Sequence, residues 1–97
     1  MQLVHGSSFR QADPDNARIM GPSAIEHPDS GLTPKEMTIS DIKDMAELFA
    51  KAAARAKDAG FDGVQIHAAH GYQLSQWITP IFNRRTDEYG GSALNRF

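Results

Sequence analysis

"TISDIKDMAELFAKAAARAKDAGFDGVQIHA" (residues 38–68) decides the fold, because its apolar period changes part-way along. Ile42, Met45, Phe49, Ala52 and Ala56 recur at spacings of three and four, which is the stripe of an amphipathic helix. Thr38 is a fitting N-cap, and Asp41 at the third helical position completes an aspartate version of the capping box. Asp41 and Asp44 lie toward the positive end of the helix dipole, with Lys51, Arg55 and Lys57 in the later turns. Gly60 supplies the left-handed stop. The period then falls to two: Val64 and Ile66 alternate with Gln65 and His67, so the two pairs face opposite ways.

Upstream, "MQLVH" (residues 1–5) reads as a short strand, which makes residues 1–67 a strand–loop–helix–strand unit of the α/β class. In such a unit Val64 and Ile66 pack on helices, while Gln65 and His67 face away, His67 at the carboxyl end of its strand. In α/β barrels that end carries the chemistry. Polar residues simply buried there would be costly, which favours a site over a packed interior. Residues 6–37, punctuated by Gly6, Pro14, Gly21, Pro22, Pro28, Gly31 and Pro34, have loop composition. A loop of that length is either functional or disordered, and "GPSAI" within it is expected to return Ile25 to the core. Downstream, "QLSQWI" is a short apolar-periodic turn stopped by Pro80, "FNRRTDEYGGS" is a charged loop, and Ser92 caps a further helix. A complete eight-stranded α/β barrel takes about 250 residues, so this stretch is expected to be a slice of something larger.

The chain has 97 residues, a formal charge of −2, 40% hydrophobic and 23% charged residues, the balance of a soluble globular protein. It has no basic stripe for a nucleic acid and no stretch near the roughly 18 apolar residues that cross a bilayer. Its first residues lack the basic start and apolar core of a signal peptide. The absence of cysteine excludes disulfides, thiolate metal sites and cysteine nucleophiles. A cytoplasmic protein with no nucleic-acid partner and no membrane partner is expected.

Directly after the second strand come His67, His70 and Tyr72. A zinc site takes three or four ligands; Asp62 or His5 could join the histidines, but no metal-site spacing is present, and none is expected. Ser75 has no "GxSxG" around it, and neither "GxGxxG" nor "GxxxxGK" occurs. Taken singly, a histidine at a strand end and a tyrosine in a loop are ordinary packing residues. Taken together, two imidazoles can present adjacent N–H donors to one carbonyl oxygen, and a nearby phenol can supply a proton.

"AGFDGVQIHAAHGYQLSQWITPIFNRRTDEYGGSALNR" (residues 59–96) closely resembles the Old Yellow Enzyme family, the FMN-dependent NAD(P)H:flavin oxidoreductases and ene-reductases. "QLVHG" resembles that family's third barrel strand, "GPSAI" the loop after it, and residues 37–63 the helix leading to the fourth. The resemblance implies a partial (β/α)8 TIM barrel, with residues 1–97 a fragment of a single FMN-binding domain around strands 3 and 4. It implies FMN and NAD(P)H as cofactors and an activated alkene such as an enone as the small-molecule substrate. By motif match, His67 and His70 bind the substrate oxygen, Tyr72 is the catalytic proton donor, and Gln2 binds the flavin ring. "GSSFRQAD" departs from the Ala-Gly-Arg-like run of many relatives, so Arg10 has no matched role; Trp77 and Ile78 stand where Phe and Leu are commoner. One barrel quarter is expected to be inactive alone. The alternative is a non-catalytic remnant that covers its open sheet edges by forming a homo-oligomer.

Overall fold

The computed structural model describes residues 1–7 and 19–97. The elements are β1 (Gln2–Leu3), β2 (Met20–Gly21), β3 (Lys35–Glu36), α1 (Ile39–Asp58), β4 (Gln65–Ile66), α2 (Gln73–Ile78) and α3 (Ala93–Arg96). β1 and β4 pair in parallel, Gln2 opposite Gln65 and Leu3 opposite Ile66. The N–H groups of Gln65 and His67 donate to the carbonyls of Met1 and Leu3, both at 2.9 Å. Parallel neighbours need a crossover connection, and α1 is its helix. Both strands are shorter than the alternation alone implies.

α1 starts and stops where its local chemistry dictates. The Asp41 N–H donates to Thr38 Oγ1 at 3.1 Å and the Thr38 N–H to Asp41 Oδ2 at 2.8 Å, which satisfies two amides that the first turn leaves unpaired. The backbone N–H of Thr38 also holds the Asp41 carboxyl below the usual carboxylate range. At the far end the Gly60 N–H donates to Lys57 O, and Gly60 has φ 86°, a left-handed conformation that strains any other residue. Met45 and Ala56 are buried, with Ile42, Phe49 and Ala52 half-buried, so the stripe faces inward as read. α1 lies over β1, where Leu3, Val4 and His5 share a small hollow with Met45, Leu48 and Phe49. That placement leaves the apolar face of β4 open. Val64 and Ile66, expected to pack on helices, are 38% and 44% exposed.

The described part of the long loop is structured. β2 and β3 form a second parallel pair, Met20 opposite Lys35 and Gly21 opposite Glu36. Pro22, Ser23 and His27 are buried, whereas Ile25 is only half-buried. The His27 ring stacks on Phe82 with 5.1 Å between centroids. Residues 8–18 of the same expected loop, Pro14 and Arg10 among them, lie outside the described residues.

Among the described residues the buried apolar side chains are Ile19, Met37, Met45 and Ala56. Three large side chains at roughly 1.5–3 kcal/mol each make a thin core, and a polar clamp supplements it. Arg85, read as part of a charged loop, is 8% exposed. Its Nη1 donates to Met37 O at 2.6 Å and to Pro22 O at 3.1 Å. Its Nε and Nη2 meet the Asp87 carboxylate at 3.0 Å and 2.5 Å, and its guanidinium lies 5.5 Å from the Trp77 ring centroid. Asn83 Nδ2 closes the same segment onto Trp77 O and Tyr89 O, each at 2.8 Å. Gly90 is needed because a Cβ there would sit on the Arg85 backbone, nearer than side chains are tolerated.

Arg85→Ala is expected to lower stability by about 3 kcal/mol, because it leaves two buried carbonyls and a carboxylate without their donor. The urea midpoint checks this, an unchanged value being the contrary result. The Arg85 hydrogen bonds hold Asp87 below its usual range, so the charged pair's contribution is present at neutral pH. It is lost as pH falls from ~3.9, the ordinary aspartate value, through the lower folded one.

Candidate functional site

Successive residues of a strand point to opposite faces and directly opposed residues share one. The β1–β4 register therefore puts Gln2, Gln65 and His67 on a common face, Gln2 Nε2 donating to Gln65 Oε1 at 2.8 Å.

The turn after β4 is held from below by α2. That helix, expected to be apolar-periodic, buries Gln73 and Gln76 at 0% and 1% exposure while Leu74, Trp77 and Ile78 stay half-buried. The inversion has a physical reason, since irregular backbone near the interior needs donors and acceptors. Gln76 Nε2 donates to Gly71 O at 2.6 Å. Gln73 gives its side-chain Nε2 only to Met37 Sδ at 3.1 Å, leaving its Oε1 without a partner among the described residues, while its backbone N–H donates to His5 O at 3.0 Å. Gln76 Oε1 lies 3.0 Å from Ser7 Oγ. One short helix thus fixes the exit of β1 and the turn that carries the histidines.

That turn is strained where the chemistry sits. His70 has φ 59° and Gly71 φ 74°, and a left-handed non-glycine costs about 1–2 kcal/mol. The conformation folds His70 back onto His67: His70 Nδ1 is 3.3 Å from His67 Nε2, the rings meeting edge-on with centroids 5.1 Å apart. The Tyr72 ring meets His67 from another side, edge-on at 5.0 Å. The Ala69 N–H donates to His67 Nδ1 at 3.1 Å. A neutral His67 therefore carries its proton on Nε2 and directs it at His70 Nδ1. The structure thus brings together His67, His70 and Tyr72, with Gln2 on the strand face. It turns the His67 N–H toward His70 rather than outward, since between those two nitrogens there is one proton. For both to donate to a single oxygen, the His67 Nε2–H must turn from His70 to that oxygen, which His70 meets through the nitrogen that carries its own proton.

Among the described residues no group of three or more His, Cys, Asp and Glu is gathered as a metal ion requires. Ser75 Oγ donates to Tyr72 O at 3.1 Å, a helix-start contact. A hollow of about 600 Å³ is bordered by Met45, Phe49, Leu74, Trp77, Leu94 and Phe97 and by none of Gln2, His67, His70 or Tyr72. No helix among the described residues is long and apolar enough to cross a membrane. Gln65, Gln73, Gln76 and Arg85 are the positions whose importance sequence reading understated. Gln65 alone carried a signal, its place two residues before His67.

His5, at the exit of β1, accepts the Ser7 N–H on Nδ1 at 3.1 Å, and burial pushes its pKa down. A depressed folded value contributes stability above the unfolded pKa, and that stability is lost as pH falls through the folded one. Acidification below about pH 6.5 is therefore expected to lower the urea midpoint. His5→Asn, which keeps an acceptor but does not titrate, is expected to remove that part of the profile; an unaltered profile is the contrary result.

The model of the NADH:flavin oxidoreductase / NADH oxidase family matches residues 1–97. The NADPH dehydrogenase of Geobacillus thermodenitrificans is 53% identical over 97 residues, 100% of this chain and 28% of that protein. The NADPH dehydrogenase of Bacillus subtilis is 45% identical over the same 97 residues and shares. The chain thus spans 28% of the length of these curated relatives. Morphinone reductase in complex with tetrahydroNAD superposes with a TM-score of 0.86 at 35% identity, over 98% of this chain and 31% of that one. The likeness places the β1–α1–β4 unit and its flanking helices as part of a TIM barrel.

Proposed function

The chain belongs to the NADH:flavin oxidoreductase / NADH oxidase family, and on that premise we propose that residues 1–97 are a fragment of one FMN-binding barrel domain whose whole reduces activated alkenes such as enones with NAD(P)H. The observation that carries this reading is the grouping of His67, His70 and Tyr72 at one strand end, on the side to which Gln2 contributes an amide. Tetrahydro-NAD bound to morphinone reductase supports a nicotinamide as the electron source.

The residues present fit a flavin at its ring: an exposed amide on an open, polar strand face can exchange hydrogen bonds with a heteroaromatic edge. None of Gln2, Gln65, His67, His70 and Tyr72 is a fixed cation for a phosphate, so the fit is partial. An FMN held there would supply the hydride chemistry that links a nicotinamide to the alkene. His67 and His70 hold the carbonyl oxygen of the substrate and stabilise the negative charge that grows on it. The Tyr72 hydroxyl gives its proton to the α-carbon of the same conjugated unit, which is why acid and oxygen donors are neighbours. The left-handed turn at His70 and the buried Gln76 keep those groups in place before substrate arrives.

The isolated chain, mixed with FMN and NADPH, is expected to retain no flavin absorbance and to show no enone-dependent NADPH loss; a yellow, active preparation would overturn this. A second reading has its own observation. Val4, Leu48, Phe61, Val64 and Ile66 are 52%, 59%, 46%, 38% and 44% exposed, and copies of an isolated chain would cover them by associating. Light scattering after size exclusion is expected to give a mass above one chain, and a monomer at all concentrations would sink that reading.

The role assignments are tested in a complete barrel, with residues 1–97 replacing the matching segment of the Bacillus subtilis NADPH dehydrogenase. Tyr72→Phe is expected to slow enone turnover about 100-fold with flavin reduction by NADPH intact. His67→Ala is expected to weaken a phenol ligand at least about tenfold. Unchanged binding and turnover in both would show that the residues have other roles.

A further inference from the structure

Gln65 has no part in the proposed reaction, yet the register seats it directly opposite Gln2. The pairing is more than adjacency. Gln2 Nε2 donates to Gln65 Oε1 at 2.8 Å across the strand face, and neither amide is buried. An exposed glutamine otherwise turns freely about its side-chain bonds, losing entropy when it is fixed, and its amide can present either end to a ligand. One such amide accepting from the other removes that choice. The Gln2 nitrogen end is turned toward β4, while its carbonyl oxygen and second N–H remain for a ligand. The backbone beneath is held in register, Gln65 N–H donating to Met1 O at 2.9 Å and His67 N–H to Leu3 O at 2.9 Å. His67 lies two residues beyond Gln65 on the same face, so one strand orients both the flavin-facing amide and the oxygen-binding imidazole.

We propose that Gln65 is a positioning residue that sets the orientation of the Gln2 amide, and through it the hold of the site on the edge of the flavin ring. This rests on the reading of Gln2 as a flavin contact. Gln65 acts only through Gln2: its acceptor oxygen is what matters, so a carboxylate of the same shape should substitute and an apolar isostere should not. A Gln65→Glu exchange also places a negative charge near the ring, which disfavours the extra charge of the reduced flavin and lowers its potential.

The test uses the complete barrel described above, with FMN itself as the probe. Gln65→Leu is expected to weaken FMN binding about tenfold, the loss of one oriented hydrogen bond, with a changed visible spectrum of the bound flavin. Gln65→Glu is expected to stay within about threefold of the parent in affinity while its flavin potential falls. Thermal midpoints without FMN should be alike in all three, which separates positioning from folding. Equal affinity and spectrum in Gln65→Leu would overturn the inference, as would equal losses in the Leu and Glu variants. A Gln2→Leu control distinguishes the two levels. If it leaves FMN affinity unchanged, the reading of Gln2 fails and the role of Gln65 with it; if it weakens binding while Gln65→Leu does not, only the positioning role fails.

Discussion

Arg85 is the constraint on which the rest of the structure depends. One guanidinium takes the carbonyls of Pro22 and Met37, the carboxylate of Asp87 and the face of Trp77. These groups come from the segment before α1, from its own loop and from α2. Met37 immediately precedes the Thr38 cap, so gripping its carbonyl fixes where the crossover helix begins. A buried cation is ordinarily costly. Here planar geometry supplies a partner in several directions at once, which a lysine ammonium on a flexible stem would not match. Few large apolar side chains are buried among the described residues, and hydrogen bonds with long sequence separation take over part of their task.

From that anchor the site is assembled by two kinds of control. Backbone pairing aligns Gln2, Gln65 and His67, and buried amides of α2 fasten the turn that adds His70 and Tyr72. The strain at His70 is local, and the contacts that oppose it are not. Groups held this way need little rearrangement when a ligand arrives.

Much of this was legible in the sequence where the physics is local. The α1 stripe, the Thr38–Asp41 box, the Gly60 stop and the Ser92 cap, whose Oγ accepts the Asn95 N–H at 3.2 Å, each involve residues a turn apart. The grouping of His67, His70 and Tyr72 was legible because six residues span it. Arg85, Gln73 and Gln76 were not: composition assigns polar side chains to the surface, and their buried partners Pro22, Met37 and Ser7 lie 63, 36 and 69 residues away. Val64 and Ile66 failed for the converse reason, since alternation says which way a residue faces and not what lies there. The contact of His67 with His70 also escaped, because a tautomer is set by the third group, here the Ala69 amide.

The parallel ladder between β1 and β4 has a consequence for how such a site can fail. It is written in two-residue strands, with Gln65 N–H on Met1 O and His67 N–H on Leu3 O. Side chains alternate with a period of two, so a slip of one residue turns every member of a strand over. Ile66 would then stand where Gln65 and His67 now face, and the imidazole would be directed into the apolar side. The chemistry of this face is therefore a digital property of the register, either wholly present or wholly inverted.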